Sequence, residues 1–367
     1  VSPQGKAVLI DGGLPGSDKA VNAYLASQQL DYLDYYVVSH YHRDHIGATA
    51  KILTPARIQH LTASYDRGDT PANTDSFMTG VSKNYRSALA GKRITANPNG
   101  ALASAGRRLM LDGGSTQPVE IAFIAVNGDG RVTKSTINEN DLSLACLVKF
   151  GAFSAELGGD LSGSNGSEYT DIETSLASAV GGPVTLIKVH HHGSAYSSNT
   201  NWLKTLNPVV GIICCGTLNT YWLPEGGALD RLAAYKVETY WTETGSKKVI
   251  TSTSNRIERT PDGGKHQHVG GNIVVEVGAN SDTFDLSTSN PAHTYTYKIT
   301  KPPGDWAQTV SGGSAGPASP NIVVYRWSKV GRSYHVAGCS IGDAIIPNNL
   351  ETGPIPPGGL HAHTCVK

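Results

Sequence analysis

The six residues HYHRDH (40–45) constrain this chain more than any other stretch: they hold three histidines, an arginine and an aspartate. The apolar run YYVVS (35–39) stops where they begin, and DHIGATAKIL carries helical spacing after them. The run therefore reads as a strand-end loop entering a helix, where α/β proteins commonly place chemistry. His40 and His42 are two apart, so extended backbone sends both side chains the same way and they can share one ion. Asp44 and His45 follow as the chain turns, offset enough to serve a second ion beside the first. Imidazole and carboxylate ligands suit zinc, and also manganese or iron. Two ions roughly 3.5–4 Å apart activate a bridging water and stabilise a leaving oxygen.

Such a site needs ligands from elsewhere, and two candidates occupy matching strand ends. Asp160 closes AFSAELGGD, and the triplet His190–His192 closes VTLIKV. A carboxylate can bridge two ions, and one more histidine can complete the coordination of either. Strand alternation sends His190 and His192 one way and His191 the other, provided the strand continues through them. Which of the three binds metal stays open.

The rest of the chain supplies a frame for these ends. KAVLIDGG, YYVVS, VEIAFIAVNG, the pair LSLACLVKFG and AFSAELGGD, VTLIKV, VVGIICC and VETYWT read as strands. SDKAVNAYLASQQL, DIETSLASAV, TNWLKTL and GALDRLAAYK read as helices. Residues 54–118 read as a long, partly irregular insertion with one helical piece in SFMTGVSKNYRSAL, suited to shaping a substrate cleft. GNIVVEV and TFDLS close the main domain near residue 288. Residues 289–367 form a small β-rich or irregular extension around TYTYKIT and NIVVYRW. The sequence of strands, then βα alternation, then strands again fits sheets packed face to face with helices outside, an α/β (α+β) class.

Composition narrows the partners. The 367 residues carry 30 basic against 30 acidic side chains, so no overall positive field draws in a polyanion. A phosphate would be held by a local site, and strong binding of duplex nucleic acid is not expected. No apolar run reaches the roughly 18 residues of a spanning helix. The 42 glycines and the scarcity of lysine-rich helical faces fit a secreted or periplasmic protein whose signal peptide has been removed. Of five cysteines, Cys146, Cys214 and Cys215 lie in apolar runs and read as buried thiols. Cys339 and Cys365 sit in the Gly/Pro-rich tail, where a disulfide suits an oxidising compartment.

The ordered set LIDGG, HYHRDH, LGGDLSG and HHGS resembles the metallo-β-lactamase fold superfamily. SHYHRDHIGA together with IKVHHHGSAYSS is most similar to the branch of ComEC-type DNA-uptake proteins. The resemblance covers roughly residues 5–288. It implies a four-layer αβ/βα sandwich with a dinuclear site at one edge. It also implies two divalent ions, zinc first and manganese as the alternative, with His40 and His42 on one and Asp44 and His45 on the other. Asp160 would bridge them, and His191 or His192 would complete the second site. Asp11 would lie behind a ligand histidine and fix its orientation. Many members carry another histidine between the first motif and the bridging aspartate, but here residues 61–160 contain none. Asn127, Asp129, Asp141 or water would have to substitute. The chain also begins too late for the strand that usually precedes LIDGG. A short Y-H-x-x-x-C element in GRSYHVAGCS resembles one appended to some members of the branch. It raises a small structural site from His335, Cys339, His361, His363 and Cys365, against the simpler Cys339–Cys365 disulfide or a loose tail. The HQH at His266–His268 reads as a solvated loop.

The function these features imply is a metal-dependent hydrolase using a metal-activated hydroxide, with Asp44 and Asp160 at the reacting centre. Its expected substrate is a small phosphodiester or a short strand. Ser194 and the glycine-turn amides could touch phosphate oxygens. The same site could hydrolyse a lactone, ester or β-lactam instead, and the missing middle histidine counts modestly against that. A non-catalytic secreted binding protein is the third reading.

Overall fold

The computed structural model describes residues 1–69, 83–96, 102, 107–130, 138–165, 168–245, 267–268, 271–289 and 292–299, and the backbone of four short strands between 325 and 362. At residues 129–130 and 267–268 it describes backbone alone. Two sheets carry the site. The smaller is wholly parallel, ordered β1 (Val8–Ile10), β2 (Tyr32–Val37), β3 (His60–Asp66) and β4 (Arg93–Thr95). The larger has eight strands and runs from β12 (Gln267–His268) through β11 (Glu238–Trp241), β10 (Val210–Ile213), β9 (Leu186–Lys188), β8 (Phe153–Leu157), β7 (Ala145–Phe150) and β6 (Val119–Ala125) to β5 (Arg108–Leu111). Its β8–β12 half is parallel and its β5–β8 half antiparallel.

Strand alternation produces the layers. In β2, Tyr35 and Val37 face inward against Ile121 and Phe123 of β6 and Cys146 of β7, while Tyr36 packs outward. In β7, Ala145 and Leu147 take the opposite face from Cys146 and Phe150. A strand buried on both faces has no polar alternation, which is why YYVV reads as a continuous apolar run. The outer face of the large sheet is covered by helices α5 (Glu173–Val180), α6 (Thr200–Leu206) and α7 (Gly226–Ala234), through Leu176, Trp202, Leu203, Leu229 and Leu232. The small sheet is covered by α1 (Asp18–Ser27) and α3 (Thr49–Ile52), through Leu25 and Ile52. The order helix, sheet, sheet, helix is the four-layer αβ/βα sandwich expected.

Two expectations differ from the structure. Residues 54–118 are not wholly an insertion, because β3 and β4 complete the small sheet and β5 forms one edge of the large one. A helical turn at 83–88 lies between β3 and β4. The chemical reason is that β3 buries polar groups. Ser64 and Asp66 are fully enclosed, and Asp66 is satisfied by Tyr85 at 2.6 Å and Arg93 at 2.7 Å, so HLTASYD lacks an apolar signature. The boundary at 288/289 also falls inside a hairpin. β13 (Ile273–Val277), β14 (Thr283–Ser289) and β15 (Ala292–Lys298) form one antiparallel sheet, whose Phe284 and Leu286 pack on Phe153, Leu186 and Tyr240 of the large sheet. The chain divides instead into Val1–Gly316 and Pro317–Lys367.

The second unit contains four short strands ordered β18 (Leu350–Gly353), β16 (Tyr325–Ser328), β17 (Ser333–Val336) and β19 (His361–Ala362). Cys339, His363 and Cys365 lie outside the described residues, and His335 and His361 are described by backbone alone. His266 likewise lies outside them. Among the described residues, Cys146, Cys214 and Cys215 are free thiols, and no helix is long and apolar enough to cross a membrane.

Candidate metal centre

Three strand ends converge at one edge of the sandwich. After β2 the chain runs extended to His42, whose φ of −62° and ψ of 150° lead into the single turn α2 (Arg43–Ile46). After β8 come Gly158 and Gly159. A Cβ on Gly158 would lie 2.2 Å from His190 Nε2, and Gly159 has a φ of +60° with Ser39 where its Cβ would go. Only glycine fits both places, so ELGGD sets Asp160 against the first histidines. After β9 the strand stops at Lys188 and a tight 3-10 turn spans His190–Gly193, with His191 and His192 both left-handed at φ 46° and 54°. Alternation therefore does not govern the triplet. Consecutive left-handed non-glycine residues store strain, and such strain clusters at functional sites.

The turn sorts the three histidines. His190 points into the interior, with Nδ1 2.8 Å from Glu173 and Nε2 3.1 Å from Glu156. His191 meets the Asn140 amide at 3.3 Å. His192 enters the cluster. Asp44, His45, Asp160 and His192 form one group able to hold an ion, and His40, His42 and Asp160 form another. Asp160 Oδ2 lies 3.2 Å from His192 Nε2, 3.3 Å from His45 Nε2 and 3.8 Å from His40 Nε2. Asp44 Oδ2 lies 3.1 Å from His192 Nε2, and His40 Nε2 meets His42 Nδ1 at 2.9 Å. Tetrahedral zinc with bonds of about 2.0–2.1 Å sets its ligand atoms about 3.3 Å apart, so the spacing fits such an ion. His45 Nε2, His192 Nε2 and Asp160 Oδ1 are buried with no hydrogen-bond partner. The two orphan ring nitrogens converge on Asp160 Oδ2 and call for a shared partner, whereas Oδ1 faces Lys188.

The opposite ring nitrogens explain why these atoms are turned inward. His45 Nδ1 donates to Asp11 Oδ2 at 2.7 Å, and His192 Nδ1 donates to the Cys214 carbonyl at 2.7 Å. His40 Nδ1 meets Ser39 Oγ at 3.0 Å. Asp11 also accepts from the Ser39 amide and hydroxyl, both at 2.8 Å. Lys188, a lysine inside an apolar strand, donates to the Gly159 carbonyl at 2.8 Å and lies 3.6 Å from Asp160 Oδ1. Ser39, Lys188, Glu156 and Glu173 are not singled out by the sequence, which offers His190 only as a candidate ligand and Cys214 only as a thiol. Lys188 and the two buried glutamates were visible there as charges in apolar surroundings.

Electrostatics favour a cation at this point. Burial opposes charge on His45 and His192, yet the surrounding carboxylates together outweigh it, Asp160 with Asp11 at His45 and Asp160 with Asp44 at His192: His45 is pushed well above its ordinary value and His192 up to about 9. A position that stabilises a proton on Nε2 also stabilises a metal ion there. Burial would raise Asp160 and Asp44, but the facing histidines hold Asp160 well below the usual carboxylate range and Asp44 down to about 2. Burial, reinforced by His45, pushes His40 well below its ordinary value, toward the neutral form that metal ligation requires.

The other expected residues lie further out. Asn127 donates to the Arg67 carbonyl at 2.6 Å, and Asp141 accepts from the Thr170 amide at 2.7 Å. Asp141 does not belong to the His40/His42 group, and the side chain of Asp129 lies outside the described residues. Ser194 is buried, and its hydroxyl donates to Glu225 at 3.4 Å, which holds the loop after the histidines.

Residues 1–75, which contain the histidine run, match the family model for the metallo-beta-lactamase superfamily. Over those residues the chain is similar to that superfamily. No curated protein matches the sequence. Among solved structures, a diphosphatase of the PhnP family aligns with 73% of this chain and 78% of its own at 14% identity and a TM-score of 0.35. The Rm3 metallo-beta-lactamase aligns over 51% and 68% at 17% identity, with a TM-score of 0.32. The fold protein YhfI from Bacillus subtilis aligns over 65% and 75% at 13% identity, with a TM-score of 0.33.

Asp11→Asn tests the outer support of these ligand groups. Asparagine tolerates the left-handed backbone of Asp11, at φ 58°, but an amide cannot accept at both ends from Ser39 and His45. Metal affinity is expected to fall roughly 10–100-fold, read by chelator competition.

Proposed function

We propose that the chain is a metal-dependent phosphodiesterase, most like the ComEC-type branch, acting on a small phosphodiester or a short single strand. The observation that carries the metal-dependent part is the pair of ligand groups sharing the buried carboxylate of Asp160. In this reading His40, His42 and Asp160 hold one divalent ion, zinc or manganese. Asp44, His45, His192 and Asp160 hold the other. Bound there, the ions would supply Lewis acidity and acidify water for attack on the substrate.

The protein's own groups do the rest. Asp11 and the Cys214 carbonyl orient His45 and His192 through their Nδ1 protons. Asp44 is the more open carboxylate, its side chain 41% exposed, and it stays ionised to accept a hydrogen bond from an attacking water. Lys188 adds positive charge behind Asp160. Two divalent ions carry more charge than Asp11, Asp44 and Asp160 neutralise. The site then becomes a local positive centre in a chain with no net charge, which suits a phosphate.

The test compares bis-p-nitrophenyl phosphate with nitrocefin and a lactone panel. Hydrolysis of the diester is expected to be lost on chelation and restored by zinc or manganese. Turnover of nitrocefin or a lactone without the diester would instead assign carbonyl chemistry. No turnover with any metal would favour a binding protein.

A further inference from the structure

Beside the ligand His192, aromatic rings continue toward solvent. The His191 ring lies 6.2 Å from that of His192, and the Tyr169 ring lies 6.0 Å from His191, edge-on. Tyr196 then stacks on Tyr169, with centroids 4.8 Å apart and planes 29° from parallel. Tyr196 is 47% exposed.

An exposed tyrosine alone needs no explanation, but the backbone beneath this one is held from several sides. Its amide donates to Ser194 Oγ at 3.3 Å, and its carbonyl accepts from the Gly163 amide at 2.8 Å. Arg231 donates to the carbonyls of Ala195 and Ser197 at 2.8 and 2.7 Å. Glu225 accepts from the Ala195 amide at 3.0 Å. The backbone under the ring is thus held in a fixed place, three ring steps of 6.2, 6.0 and 4.8 Å from the candidate ligand His192. Rigid aromatic faces beside a cationic centre are how proteins hold bases of single-stranded or mononucleotide ligands.

We infer that Tyr169 and Tyr196 form a stacking subsite for one nucleobase of the substrate, so that the phosphodiester cleaved carries a nucleoside on the side of His191. This rests on the phosphodiesterase reading for its substrate class, but its test does not use turnover. The zinc-loaded full chain is titrated calorimetrically with uridine 5′-monophosphate and with ribose 5-phosphate, which shares the sugar and phosphate but lacks the base. Wild type is expected to bind the nucleotide roughly 10-fold more tightly, in keeping with one base stacked on an aromatic ring. Tyr196→Ala removes most of that preference and leaves ribose 5-phosphate unchanged, whereas Tyr196→Phe retains it. Tyr169→Leu, a second variant, also lowers the preference.

Equal binding of the two ligands by wild type overturns the subsite, as does an equal loss for both ligands in Tyr196→Ala. Base preference without diester hydrolysis keeps the subsite and rejects the reaction. Diester hydrolysis without base preference rejects the subsite alone.

Discussion

Asp160→Ala is expected to take the metal content of the purified protein from about two ions per chain to below one, with loss of activity on any substrate it turns over. The residue belongs to both ligand groups, so its removal cannot spare either ion. Its Oδ2 is also the point on which His40, His45 and His192 converge. Without it, three imidazoles face one another with only the more open Asp44 beside them, and a cation there loses its main buried electrostatic partner. Loss of an outer-shell support costs roughly 10–100-fold in affinity or activity; a shared ligand should cost more than about 100-fold. Elemental analysis and turnover on the same sample check the result. Two ions retained with activity intact would mean that Asp160 is a structural carboxylate and that the centre lies elsewhere.

The centre was legible in sequence where residue identity and spacing alone decide the chemistry. HYHRDH, GGD and HHHGS each sit at the end of a mostly apolar strand, interrupted by Glu156 in the second and by Lys188 in the third. What was not legible depended on contacts between distant segments. His192 enters the cluster instead of His191 because β9 ends at Lys188 and the backbone turns left-handed, which no alternation rule reports. β3 was hidden because its buried Asp66 is solvated by Arg93 and Tyr85, giving a polar pattern to a core strand. Tyr196 and Tyr169 are far from periodic patterns and gain meaning only from their stack beside His191. Glycine positions were legible as turns, whereas the close approach of His190 to Gly158 needed the folded chain.

The same long-range logic governs Glu139, the second large effect. Arg67 and Glu139 form a two-pronged ion pair, Nε to Oε1 and Nη2 to Oε2 both at 2.7 Å, with side chains only 1% and 2% exposed. Oε1 also accepts from the Tyr41 amide at 2.7 Å, and the guanidinium lies 4.4 Å from the centre of the Tyr41 ring. Tyr41 stands between His40 and His42, so this buried pair fixes the backbone of the ligand loop from behind. Glu139→Ala leaves the enclosed guanidinium without that carboxylate and is expected to cost about 3–5 kcal/mol of stability. That corresponds to a fall in melting temperature of roughly 5–10 °C. Metal affinity should drop as well, since the Tyr41 amide loses its acceptor. The double variant Arg67→Met, Glu139→Leu separates the two effects. An apolar pair of similar volume can restore much of the stability, yet it offers nothing to the Tyr41 amide, so melting should recover while metal affinity stays low. Recovery of both would show that the ion pair only fills space. Recovery of stability alone would place Glu139 among the residues that position the metal ligands.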